Sequence, residues 1–113
     1  MATSNAESTR FLVIVMLGDS SDQQRLRTLV PALQGALTKA STDRIEQAFR
    51  SPHADSFGYF IRSSLRATQI RARLETPDPP PFLDNSDSVL ILEIGADFSG
   101  FGRSRAWTWL QRH

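Results

Sequence analysis

Apolar residues recur along the chain with two periods, and the alternation between them predicts the elements. Phe11 to Leu17 is a continuous apolar run, apolar on both faces, as expected of a central strand. It runs into Gly18-Asp19-Ser20-Ser21-Asp22, a turn whose side chains can cap a helix. Leu26, Leu29, Val30, Leu33 and Leu37 then fall at helical spacing. Pro31 inside that stripe predicts a kink or a restart, and the helix should fade between Thr38 and Ala40. Arg44 to Arg50 is read as a second strand. A short helix is the rival, because Asp43 and Glu46 have capping-box spacing. Ser51 to Ser56 reads as a loop and Phe57 to Ile61 as an aromatic-rich strand.

Ser63 or Ser64 is expected to cap a second helix, with Ala67, Ile70 and Leu74 on its buried face and Arg62, Arg66, Gln69 and Arg73 on another. Pro77, Pro79, Pro80 and Pro81 make the following segment a stiff linker. Leu83-Asp84-Asn85-Ser86-Asp87 is a turn, since short polar side chains bond their own backbone. Val89 to Ile94 is the last strand, aliphatic apart from Glu93. After a glycine-rich stretch, Arg103 to Gln111 predicts a short terminal helix with Ala106, Trp107 and Leu110 on one face and Trp109 pointing elsewhere.

This order predicts an α+β chain: a ferredoxin-like βαββαβ sandwich with an antiparallel sheet and a short C-terminal helix. Residues 1–9 are expected as a disordered tail and 10–113 as a single domain. The two main helices would cover one sheet face. The first strand is apolar on both sides, so the other face needs a cover. A second copy of the chain, or the glycine-rich tail with its tryptophan helix, would supply it; homodimerisation is preferred.

Composition narrows this further. A chain of 113 residues supports one core, and 40% apolar content is that of an ordinary globular protein. With no cysteine there is neither a disulfide nor a thiolate metal site, which fits a reducing compartment. No apolar run reaches a membrane span, and the polar N-terminus lacks signal-peptide order, so a cytoplasmic location is expected. The net charge of +1 gives no general basic field. Yet of the 13 basic residues only Lys39 is lysine. Arginine suits bidentate contacts to phosphate or carboxylate, although a GC-rich coding sequence explains the same bias.

From Phe57 onward the chain resembles a known family. The residues that carry the likeness are Phe60-Ile61-Arg62-Ser63-Ser64-Leu65, Ile70-Arg71-Ala72-Arg73-Leu74 and Asp87-Ser88-Val89-Leu90-Ile91-Leu92-Glu93-Ile94. They resemble the small ferredoxin-like subunit of CRISPR adaptation, the second universal Cas protein, and its stand-alone relatives. The resemblance implies a homodimer with a nucleic-acid-related role. Members that cleave nucleic acid hold a divalent metal on an Asp at the end of the first strand. Here that place falls on Met16 or Leu17, whose side chains cannot replace a carboxylate, with Asp19 just beyond.

The candidate chemistry is as follows. Arg62, Arg66, Arg71 and Arg73 are the expected nucleic-acid contacts; a solvated helix face is the structural alternative. Asp19 is the candidate metal ligand, for Mg²⁺ or Mn²⁺ if the protein is a nuclease; helix capping with Asp22 is its alternative. His53 and Asp55 could share acid–base work, or be solvated. His113 is expected to be disordered. The 95–102 segment lacks the lysine ending of a phosphate loop and reads as a flexible turn. Phe98, Phe101, Trp107 and Trp109 could stack bases, or seal a core or a dimer seam. The leading reading is a non-catalytic, dimeric nucleic-acid-binding protein with no cofactor. The alternatives are a metal-dependent nuclease using Asp19, and a protein-interaction module using the open sheet face and Trp109.

Overall fold

The computed structural model describes residues 8–18, 23–52, 55–78, 81–102 and 104–113. Its elements run β1 (Thr9–Met16), α1 (Gln23–Ala40), β2 (Glu46–Arg50), β3 (Ser56–Ser63), α2 (Ala67–Glu75), β4 (Ser88–Ile94) and α3 (Ser104–Arg112). The four strands form one antiparallel sheet in the order β2-β3-β1-β4. β1, the most apolar strand, is therefore central, as its two apolar faces require. The expected mixed α/β chain with an antiparallel sheet and three helices is present. Arg44–Arg50 resolves in favour of the strand, because pairing with β3 satisfies its backbone. Thr9 pairs with Ser63, so β1 starts inside the expected tail; residues 1–7 lie outside the described ones.

One face of the sheet carries the main core. Phe11, Val13 and Val15 of β1 and Phe57, Tyr59 and Ile61 of β3 meet Leu26, Leu29, Leu33 and Leu37 of α1 and Ile70 and Leu74 of α2. The alternation in the strands and the 3–4 spacing in the helices point all of these residues into one layer. α1 runs through Pro31 without a restart. Pro31 is exposed, so the Arg27 carbonyl that loses its helical donor can turn to water. α2 begins later than expected. Arg66, not Ser63 or Ser64, precedes it, and its backbone N–H donates to the Gln69 side chain at 2.8 Å. Ser63 instead ends β3, fully buried. Its hydroxyl donates to the Ala40 carbonyl at 2.7 Å and accepts from the Leu65 N–H at 3.1 Å, tying the end of α1 to β3.

α3 packs on the opposite face, mainly over β2 and β3. Ala106, Trp109 and Leu110 are buried there with Ala48 and Phe60. A register irregularity between Gln47 and Phe49 brings both Ala48 and Phe49 into this second cluster. Gly58 leaves room for it: a Cβ there would stand 2.3 Å from the Phe49 ring. Trp109 does not point elsewhere, as the helical spacing suggested. It lies near parallel to Phe60, with ring centres 5.9 Å apart, and its Nε1–H donates to the Arg44 carbonyl at 2.6 Å. The β1–β4 half of the face is covered at one end, where Leu12 and Ile94 meet the α3 cluster, and is open at the other. Met16, Leu90 and Leu92 are 49%, 50% and 43% exposed there, beside Ile14.

Candidate functional site

The end of β1 meets the start of β4 around one carboxylate. The Asp87 side chain is 1% exposed. Its Oδ1 accepts from the Gly18 N–H at 2.9 Å and from Arg25 Nη1 at 3.2 Å; its Oδ2 accepts from Arg25 Nη2 at 2.5 Å and from the Asp84 N–H at 2.8 Å. Burial pushes this carboxyl up, but the Arg25 guanidinium and the Asp84 and Gly18 N–H groups outweigh it and hold the group below its ordinary range. Asp84 is also held low, by the Ser86 hydroxyl and N–H. The turn read from Leu83 to Asp87 is thus a latch joining β1, α1 and β4.

This geometry bears on the metal expected from the resemblance. Asp19 and Asp22 lie outside the described residues. The described carboxylate at the β1 end, Asp87, meets four donors, two of them cationic guanidinium nitrogens. Such a donor set does not fit a divalent cation. Met16 and Leu17 offer no hard ligand, and no group of three or more potential ligands occurs among the described residues. His53 also lies outside them, and Asp55 accepts from the Ser51 hydroxyl at 2.6 Å.

The four expected arginines do not form one patch. Arg62 is on β3, paired across the sheet with Arg10. Arg62 donates through Nε to Ser8 Oγ at 3.0 Å and through Nη1 to the His113 carbonyl. Arg10 donates to the Leu110 carbonyl at 2.9 Å and lies 5.2 Å over the Phe98 ring. Two like charges face each other because both reach carbonyls at the negative end of α3. Arg66 is exposed at the start of α2. Arg71 and Arg73, two positions apart, flank the helix on different sides: Arg71 borders β4 and Arg73 borders Lys39 of α1. Arg71 is paired with Glu75 at 3.1 Å.

The aromatics divide similarly. Trp109 is core, and Trp107 is half-buried against Phe60 and Gly100, where a Cβ would come within 2.4 Å of its indole. Phe101 is fully exposed. His113 is ordered by contacts: its ring stacks on Trp109 at 4.8 Å and its Nδ1 lies 2.9 Å from Asp43 Oδ2. An ionised carboxylate can only accept, so that nitrogen carries the hydrogen.

Two clefts are each lined by four acidic or arginine side chains. The larger, of about 450 Å³, lies between α2 and the 82–87 turn. Its charges are matched internally, Arg71 by Glu75 and Asp87 by Arg25. The second, of about 260 Å³, lies between α3 and the segment entering β2, where Arg44, Arg105 and Arg112 meet Glu46. Among the described residues none of these three guanidiniums has an ion-pair or hydrogen-bond partner. The signal for half of it was in the chain: Arg105 and Arg112, seven apart, share a helical face. Arg44 is more than sixty residues away in sequence, and only the seating of Trp109 under its carbonyl brings it there.

Comparisons of the chain with protein-family models, with curated proteins and with solved structures found no match.

Proposed function

We propose that the protein is a ferredoxin-like homodimer with a nucleic-acid-related binding role and no catalysis of its own. The observation that carries the reading is the half-covered sheet face. Ile14, Met16, Leu90 and Leu92 form an aliphatic strip on adjacent strands, and β4 is an edge strand. An exposed aliphatic strip beside an open edge is costly for a monomer and is the kind of surface that a second copy covers. The ferredoxin-like assignment is supported by two interleaved strand-helix-strand units, in which β1 separates β3 from β4 and β3 separates β1 from β2.

The nucleic-acid role rests on Arg66, Arg71 and Arg73, exposed on α2, in line with the family resemblance. Arg62 is left out of the contact because its guanidinium holds the end of α3. A metal-dependent nuclease has less support, since the described donors at the end of β1 do not fit a divalent ion. An interaction module would use the aliphatic strip but not Trp109, which is buried.

Sedimentation equilibrium tests the first part. The wild type is expected as a dimer and Leu90→Glu/Leu92→Glu as a folded monomer; a monomeric wild type overturns it. A titration with short DNA and RNA tests the second. Arg66→Gln/Arg71→Gln/Arg73→Gln is expected to weaken binding and to lower the salt dependence by about one unit of slope per lost phosphate contact. Unchanged binding overturns the assignment to α2.

A further inference from the structure

We infer that the cleft between α3 and the entry to β2 is a binding site for a phosphoryl group. Arg105 and Arg112 stand two helical turns apart on one face of α3 and border the cleft from one side; Arg44 borders it from the other. Against these three guanidiniums stands one lining acidic side chain, Glu46. The acid next nearest in sequence, Asp43, is engaged by the His113 ring at 2.9 Å.

Three features separate this cleft from a solvated helix face. Its guanidiniums are unpaired among the described residues, whereas Arg71, the arginine that lines the larger cleft, is paired with Glu75. Its floor is rigid. Trp109 is held between Phe60 and His113 and bonded to the Arg44 carbonyl, so the backbone bearing Arg44 is fixed relative to the helix bearing the other two. It is also concave, so fork-shaped donors from two elements can reach one multidentate anion. Tetrahedral oxyanions with several acceptor oxygens match such donors better than a single carboxylate does. The site lies on the opposite sheet face from α2, so it is independent of the arginine contact proposed above.

The phosphoryl group could belong to a free small molecule or to a polynucleotide, and competition separates the two. Isothermal titration of the full chain with sodium pyrophosphate at fixed ionic strength is expected to show saturable one-to-one binding. Arg105→Gln/Arg112→Gln, both exposed and so expected to leave the thermal melt unchanged, should weaken it by about tenfold or more. Arg66→Gln/Arg73→Gln on α2 should leave pyrophosphate binding unchanged. No saturable binding at millimolar pyrophosphate, or equal affinity in the α3 variant, overturns the site. Oligonucleotides with and without a 5′-phosphate then identify the source. Displacement by both assigns a strand backbone; displacement only by the phosphorylated one assigns a terminal phosphate. Displacement by neither, with pyrophosphate still bound, assigns a free phosphate compound. Each of these three patterns upholds the site.

Discussion

Single residues at the β1 end set both stability and its pH dependence. Replacing Asp87 by Asn removes the closer of the two carboxylates that Arg25 meets, leaving Asp84 at 3.3 Å, and does so in a mostly buried position. The expected cost at neutral pH is about 2–3 kcal/mol, below the range for fully buried pairs because Arg25 keeps some solvent contact. Urea unfolding would measure it. Asp84 and Asp87 both have folded-state pKa values below the ordinary 3.8. A depressed carboxyl contributes stability that is fully present above its unfolded pKa and is lost as pH falls through the folded value. Wild-type stability should therefore drop below about pH 4, and Asp87→Asn should lose less over that interval. Glycines give a paired prediction. A Cβ on Gly18 would stand 2.0 Å from the Ser86 carbonyl oxygen, which is backbone and cannot swing away. Gly18→Ala is expected to cost about 1–3 kcal/mol. At Gly35, on the exposed side of α1, nothing lies within 4 Å of the added methyl. There alanine should stabilise by about 0.5–1 kcal/mol through helix propensity.

At the scale of elements, α3 decides how the second sheet face is closed. Its two tryptophans should respond differently to loss of the indole N–H. Trp109 Nε1 donates to Arg44, whereas the buried Trp107 Nε1 has no partner among the described residues. Trp109→Phe orphans a carbonyl and is expected to cost about 1–3 kcal/mol, while Trp107→Phe removes an unsatisfied donor and should cost clearly less. Chemical denaturation of the two variants compares them directly. Arg62→Gln belongs to the same scale. It should loosen α3, seen as faster amide exchange over 104–112, and should leave nucleic-acid affinity unchanged. The sequence placed Arg62 with Arg66 and Arg73 because the three fall at helical spacing. The structure puts it at the end of a strand, on the sheet face opposite α2.

For the whole molecule, the open half of the sheet predicts concentration dependence. If two copies bury Leu90 and Leu92, the melting temperature should rise with protein concentration by mass action, and Leu90→Glu/Leu92→Glu should abolish that rise. A flat dependence in the wild type would leave the strip without a partner copy. Among the described residues no helix is long and apolar enough to cross a membrane.

The local rhythm of the chain by itself determined that Phe11–Leu17 is a central strand, that α1 and α2 bury one stripe each, and that a polar turn precedes β4. Period, caps and turn formers act over a few residues and leave their mark in order along the chain. What the tertiary structure alone decided are the meetings of distant residues. Asp87 pairs with Arg25 sixty-two positions away, Trp109 seats under Arg44, and Arg62 turns to α3 rather than to solvent. Helical spacing put Trp107 with Ala106 and Leu110 and turned Trp109 away, whereas the sheet buries Trp109 and leaves Trp107 half-buried beside the same Phe60. That choice depends on the surface that Ala48 and Phe60 present on the sheet. Such complementarity is a property of two surfaces brought together, and no single stretch of sequence contains it.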